Sequence, residues 1–196
     1  MKKGERLKGG FTIIEVVLVL AVAGLIFAMA FIAVPALQRS QRDNTRRDDM
    51  TKFVTEVKRY QTSNRGNLPG AGNSSSSVIG VEWDENWKNQ KPAANTWDGF
   101  YASYLGERFR DPSGNNYKLK IMDCKANRAD SPCDSSVNTA INTLQSSSFG
   151  SGDYSYTMLV VTRGKCNGTS VVGSSSPRNL AVVYRLEGSG VYCYGT

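Results

Sequence analysis

The side chain most out of place in this sequence is Glu15, which stands one turn into an apolar run whose next nineteen residues, 16–34, carry no charge. An acid in such surroundings is costly and is kept where it has a partner or a task. Other reactive groups are sparse. The 196 residues include no histidine, so the commonest general base and a common metal ligand are missing. His-based triads and His-type zinc sites are excluded. Asp111 with Asn115 and Asn116 offers too few acids for a calcium loop. No spaced Ser-Lys, Cys or carboxylate motif marks a catalytic centre. The chain therefore reads as a non-enzyme, with no cofactor, no metal and no small-molecule substrate.

Four cysteines, Cys124, Cys133, Cys166 and Cys193, all follow the apolar run. If that part is exported, their even count implies two disulfides, and three connectivities are open. The favoured pairing joins Cys124 to Cys133, closing a short polar loop rich in turn residues, and Cys166 to Cys193, tying a strand end to the last few residues. A four-thiolate metal site would need C-x-x-C spacing, and none occurs.

The element that carries Glu15 is a helix long enough for a bilayer. At ~1.5 Å rise per residue, residues 16–34 reach roughly 28 Å, the thickness of the hydrocarbon core. Ahead of them Lys2, Lys3, Arg6 and Lys8 stand against Glu5, a net of +3. By the positive-inside tendency this end stays cytoplasmic and the rest crosses. A secretory signal would have a shorter apolar core and be cut behind it. Here the glycines that suit a protease, Gly9 and Gly10, lie in front.

The basic leader ending in Gly10, the aromatic Phe11, Glu15 five residues into the remaining chain and the apolar helix beyond together resemble the class III signal of type IV pilins and pseudopilins. The resemblance covers about the first 35 residues. It implies that residues 1–10 are a leader, cut after Gly10 by a prepilin peptidase, and that the new amino terminus at Phe11 is methylated. Glu15 would then pair with the amino terminus of a neighbouring subunit and set the register of a homopolymer. Residues 11–37 would form the membrane and filament-core half of the helix. Gly24 matches a frequent glycine of the family. Pro35 falls about three residues beyond the usual helix proline; these two mark where the helix would bend or melt.

The remainder, residues 38–196, is enough for one compact domain of roughly 160 residues. Removing the leader lowers the formal charge from +7 to +4, modest for a nucleic-acid binder. Arg39, Arg42, Arg46 and Arg47 alternate with Asp43, Asp48 and Asp49, which predicts same-helix ion pairs on a solvated or subunit-facing stretch. Met50, Phe53, Val54, Val57 and Tyr60 then make an apolar stripe, and Asn64-Arg65-Gly66 with Pro69 stops the helix near residue 63. Trp83, Trp87, Trp97, Phe100, Tyr101 and Tyr104 serve better to bury a connecting segment than to stack on a ligand. Strands are expected at 117–122, 154–162, 180–186 and 191–194, the last two joined by the turn Glu187-Gly188-Ser189-Gly190, and a short helix at 137–144. The expected fold is α+β: a long helix whose distal half packs on an antiparallel sheet of about four strands, which is also what the pilin resemblance implies. Cys166 and Cys193 would bracket a segment like the variable region of many pilins.

The function expected from the resemblance is structural. The chain would be a major pilin that starts as a single-pass membrane precursor, is built by an inner-membrane assembly platform and ends in an extracellular pilus. Such filaments serve adhesion, twitching motility or DNA uptake in the family, so nucleic acid is among the partners it allows. The turn Asp111-Pro112-Ser113-Gly114 is similar to one in major pseudopilins, which makes a pseudopilin of a type II secretion or competence system the alternative.

Overall fold

In a computed structural model of the chain, residues 10–70, 78–79, 95–106, 109–126, 129–146, 156–188 and 190–196 are described. The chain divides into two units, Met1–Ser40 and Gln41–Thr196. Helix α1 (Ile13–Ser63) belongs to both. It ends where the sequence stops it: Arg65 (φ 57°) and Gly66 (φ 81°) adopt the left-handed region, and the Gly66 N–H caps the Gln61 carbonyl at 2.7 Å. A Cβ on Gly66 would also lie 2.7 Å from the Arg178 guanidinium carbon, a contact the flexible arginine can relieve by moving, so it is the positive φ that calls for glycine.

Beyond α1 come β1 (Val78–Ile79), α2 (Trp97–Phe100) running into a π-helical turn (Tyr101–Leu105), β2 (Lys118–Asp123) and α3 (Ser135–Ser146). The last forty residues supply β3 (Thr157–Thr162), β4 (Gly164–Asn167), β5 (Ser170–Gly173), β6 (Leu180–Arg185) and β7 (Val191–Gly195). One sheet has the order β1-β2-β3-β6-β7, and β4 with β5 forms a separate hairpin. The expected α+β architecture is present, and the four expected strands correspond to β2, β3, β6 and β7. All pairs but one in the main sheet are antiparallel. The exception is β2 with β3, where Leu119 stands opposite Met158 and Ile121 opposite Val160 in parallel register. The chain between them passes through α3, a crossover long enough for the parallel return that a tight hairpin could not make.

Both faces of the sheet are covered, which is why β3 and β6 read as unbroken apolar runs. On one face Met50, Phe53, Val57 and Tyr60 of α1 meet Leu119, Val160 and Val182. Against the other, Val137, Ile141 and Leu144 of α3 meet Leu159, Val161 and Val183. Successive strand residues alternate between these two cores. The aromatic segment buries itself against α1, with the Trp97 and Phe53 rings stacked at 6.3 Å and Phe100 edge-on to Phe53 at 5.8 Å. Trp83 and Trp87 lie outside the described residues. Cys124 is bonded to Cys133 just after β2, and Cys166 of β4 to Cys193 of β7.

Phe53 is fully buried and touches three other aromatic rings. Phe53→Ala should therefore cost about 3–5 kcal/mol through lost burial and the cavity left behind. Urea titration of the detergent-solubilised chain, followed by tryptophan fluorescence, should show a lower midpoint with an unchanged slope.

Candidate functional site

Gly10 and Phe11 precede the first helical turn. Phe11 is 90% exposed, and among the described residues no atom lies within 4 Å of the place a Cβ on Gly10 would take. Thr12 begins the helix. Its backbone N–H and its hydroxyl each donate to Glu15 Oε2 at 2.8 Å, while the Glu15 N–H donates to Thr12 Oγ1 at 3.4 Å. This is a reciprocal capping box. It also puts the Glu15 carboxylate beside the unpaired N–H groups of the first turn, where negative charge is favoured. The sequence reading gave Glu15 no partner in its own chain; Thr12-Ile13-Ile14-Glu15 is a recognisable capping signature that could have supplied one.

On both sides of Glu15, the large apolar side chains from Phe11 to Leu37 are exposed, and α1 is long and apolar enough here to cross a membrane. Gly24 and Pro35 both lie within the helical span. Pro35 has no N–H to give to the Phe31 carbonyl, and Gly24 has open space around its Cα.

A second collection of charge lies in the unit Gln41–Thr196. Arg46 on α1 has no exposed surface. Its Nε meets Asp111 Oδ2 at 2.6 Å, its Nη1 meets Asp43 Oδ1 at 3.0 Å and its Nη2 meets Glu187 Oε1 at 2.8 Å. Arg42 completes the group through Glu187 Oε2 at 2.7 Å. Asp43 in turn accepts the backbone N–H groups of Glu187 and Gly188, each at 2.9 Å. One buried guanidinium thus gathers α1, the 111–114 turn and the β6–β7 turn. Burial disfavours the Arg46 charge, but the hydrogen bond and attraction of Asp111, with Glu187, outweigh it and raise its pKa. The Arg42 hydrogen bond, reinforced by Arg46, holds the Glu187 carboxyl down at about 2 from an ordinary 4.5.

The arginine stretch is therefore not simply solvated. Asp43 pairs with Arg46 along the helix as the spacing predicts, but both are buried and their other partners come from distant parts of the chain. The phase of the apolar stripe could have shown this. Residues 43, 46, 50, 53, 57 and 60 follow one another at steps of three and four, so Asp43 and Arg46 share the inward face. Of the aromatic candidates, Trp97, Phe100 and Tyr101 are core residues.

Comparisons with protein-family models, with curated proteins and with solved structures find no match. The class defined by the structure is accordingly the coarse one: an α+β domain behind an apolar amino-terminal helix, held by two disulfides and compatible with a pilin-like fold.

Because the Glu187 carboxyl is depressed in the folded chain, its contribution is present above pH ~4.5 and is lost as pH falls toward about 2. With allowance for solvent at this partly exposed group, the linkage amounts to on the order of 2 kcal/mol. Thermal melts between pH 6 and 2 should show a loss of stability in that window, and Glu187→Gln should start lower at pH 6 and lose less on acidification.

Proposed function

We propose that the chain is the structural subunit, a major pilin, of a type IV pilus. A prepilin peptidase trims the membrane precursor after Gly10, Phe11 is methylated, and an inner-membrane platform builds the product into a surface homopolymer. The observation that carries this reading is the large exposed apolar surface of α1, which starts beside Gly10 and Phe11 and carries an acid, Glu15, in its first turn. Lipid covers such a surface before assembly and the helices of neighbouring copies cover it afterwards, so the transfer never exposes it to water. Trimming makes a cation at Phe11, and that cation pairs with Glu15 of an adjoining subunit. Each charge is expensive alone in an apolar bundle, so the pair selects one stagger. Gly24 and Pro35 supply the points at which α1 adapts to the filament. The chemistry is assembly, with no turnover, and adhesion, motility or DNA uptake follows from the outer surface.

A second reading is a pseudopilin, a short piston of a secretion or competence system. It is favoured by the Asp111-Pro112-Ser113-Gly114 turn, which closes on itself through the Gly114 N–H to the Asp111 carbonyl at 2.8 Å and is tied to α1 by Arg46. Long filaments sheared from cells at native expression support the pilus; their absence, with trimming intact, supports the piston.

Gly10→Val should leave a precursor about ten residues too heavy by intact-mass measurement; unchanged processing would place the cut elsewhere. Glu15→Ala should insert and be trimmed normally yet yield far fewer filaments. Filaments at wild-type abundance would remove Glu15 from the register.

A further inference from the structure

We infer that Thr12 is a positioning residue for Glu15: it holds one carboxylate oxygen and leaves the other for the amino terminus of a second copy of this chain. The inference rests on the assembly reading above and gives its central contact a geometry. Both donors of Thr12 converge on Oε2. Oε1 takes no hydrogen bond among the described residues, and Glu15 is exposed.

A glutamate has several rotatable bonds, and one free at the edge of an apolar bundle would swing toward whatever polar group is nearest. Two hydrogen bonds to one oxygen remove that freedom before a partner arrives. An ammonium ion meeting Oε1 then finds an acceptor already oriented, and the ordering cost has been met within the subunit. Cleavage after Gly10 leaves the peptide bond between Phe11 and Thr12 intact, so both donors survive trimming.

Three substitutions separate this role from ordinary helix capping. Thr12→Ser keeps the hydroxyl. Thr12→Val keeps the shape and loses the hydroxyl. Thr12→Asp keeps an acceptor for the Glu15 N–H and caps a helix at least as well as threonine, but it has no proton to give and repels the Glu15 carboxylate. The measurement is filament mass in the sheared fraction per processed subunit, with processing read by intact mass, so a slower cut does not imitate poor assembly. Thr12→Ser should assemble like the parent chain, while Thr12→Val and Thr12→Asp should both fall about tenfold or more, as expected for a lost hydrogen bond to a charged group.

If Thr12→Asp assembles like the parent and only Thr12→Val falls, capping alone explains the residue and the inference is overturned. The same holds if Thr12→Val matches Thr12→Ser, a comparison that decides the matter even where the peptidase refuses the aspartate. Filaments that fail in Glu15→Ala but persist in Thr12→Val and Thr12→Asp sink this inference and leave the assembly reading standing. A parent chain that is never trimmed or never polymerises overturns both.

Discussion

Among the described residues, nothing covers the large side chains from Phe11 to Leu37, which lead into α1 and line its first half. At roughly 25 cal/mol per Å² of apolar area, leaving them in water would cost tens of kcal/mol, several times the net stability of an ordinary domain. Every long-lived state of this chain must therefore surround the segment with something apolar. Lipid can do so, and so can further helices of the same kind. In the assembly proposed above, Glu15 would make the second solution selective, because a stack of identical greasy helices has no preferred stagger until one charged group asks for its counterpart.

The unit Gln41–Thr196 meets a related constraint with the opposite chemistry. There α1 carries Arg46 into a dry environment, and three carboxylates with a tyrosine hydroxyl converge there: Arg46 bonds Asp43, Asp111 and Glu187, and Tyr184 bonds Asp111. Ion pairs of this type add little net stability over a well-packed apolar replacement, since both ions give up their water. Their influence is on geometry. Rotating or sliding α1 by one turn would strip Arg46 of Asp111 and Glu187 together, so the packed stripe of Met50, Phe53 and Val57 has one permitted seat on the sheet. The Asp49 carboxylate is a lesser version of this: burial raises its pKa, while the Tyr117 hydroxyl at 2.7 Å partly offsets that.

Much of this was legible in the residues. The long helix, its stop at Asn64-Arg65-Gly66, the strands at β2, β3, β6 and β7 and the short helix α3 all follow from periodicity and turn chemistry, which are local. Less legible was whatever depends on distant partners. The parallel pairing of β2 with β3 is not written in either strand, because their composition suits both directions. The hairpin of β4 and β5 was missed because Gly164 and Gly168 break the strand pattern, although Gly164 is demanded by Val171, whose Cγ1 would lie 2.7 Å from an added Cβ. The charged stretch from Arg39 to Asp49 reads as solvated or subunit-facing because its neighbours in sequence are charged, while the helical phase of Asp43 and Arg46 points inward.

The order of the strands bears on how the domain comes into being. The core beneath α1 needs Leu180, Val182, Tyr184 and Leu186, and the core beneath α3 needs Ala181, Val183 and Val191. A nascent polypeptide emerging amino end first has made α1 and β2 long before any of these residues leaves the ribosome. Neither core can close until β6 and β7 are available, because β3 needs β6 as well as β2 beside it. A chain that stops short of β6 thus lacks residues of both cores at once and is left as an open, sticky intermediate rather than a smaller native domain.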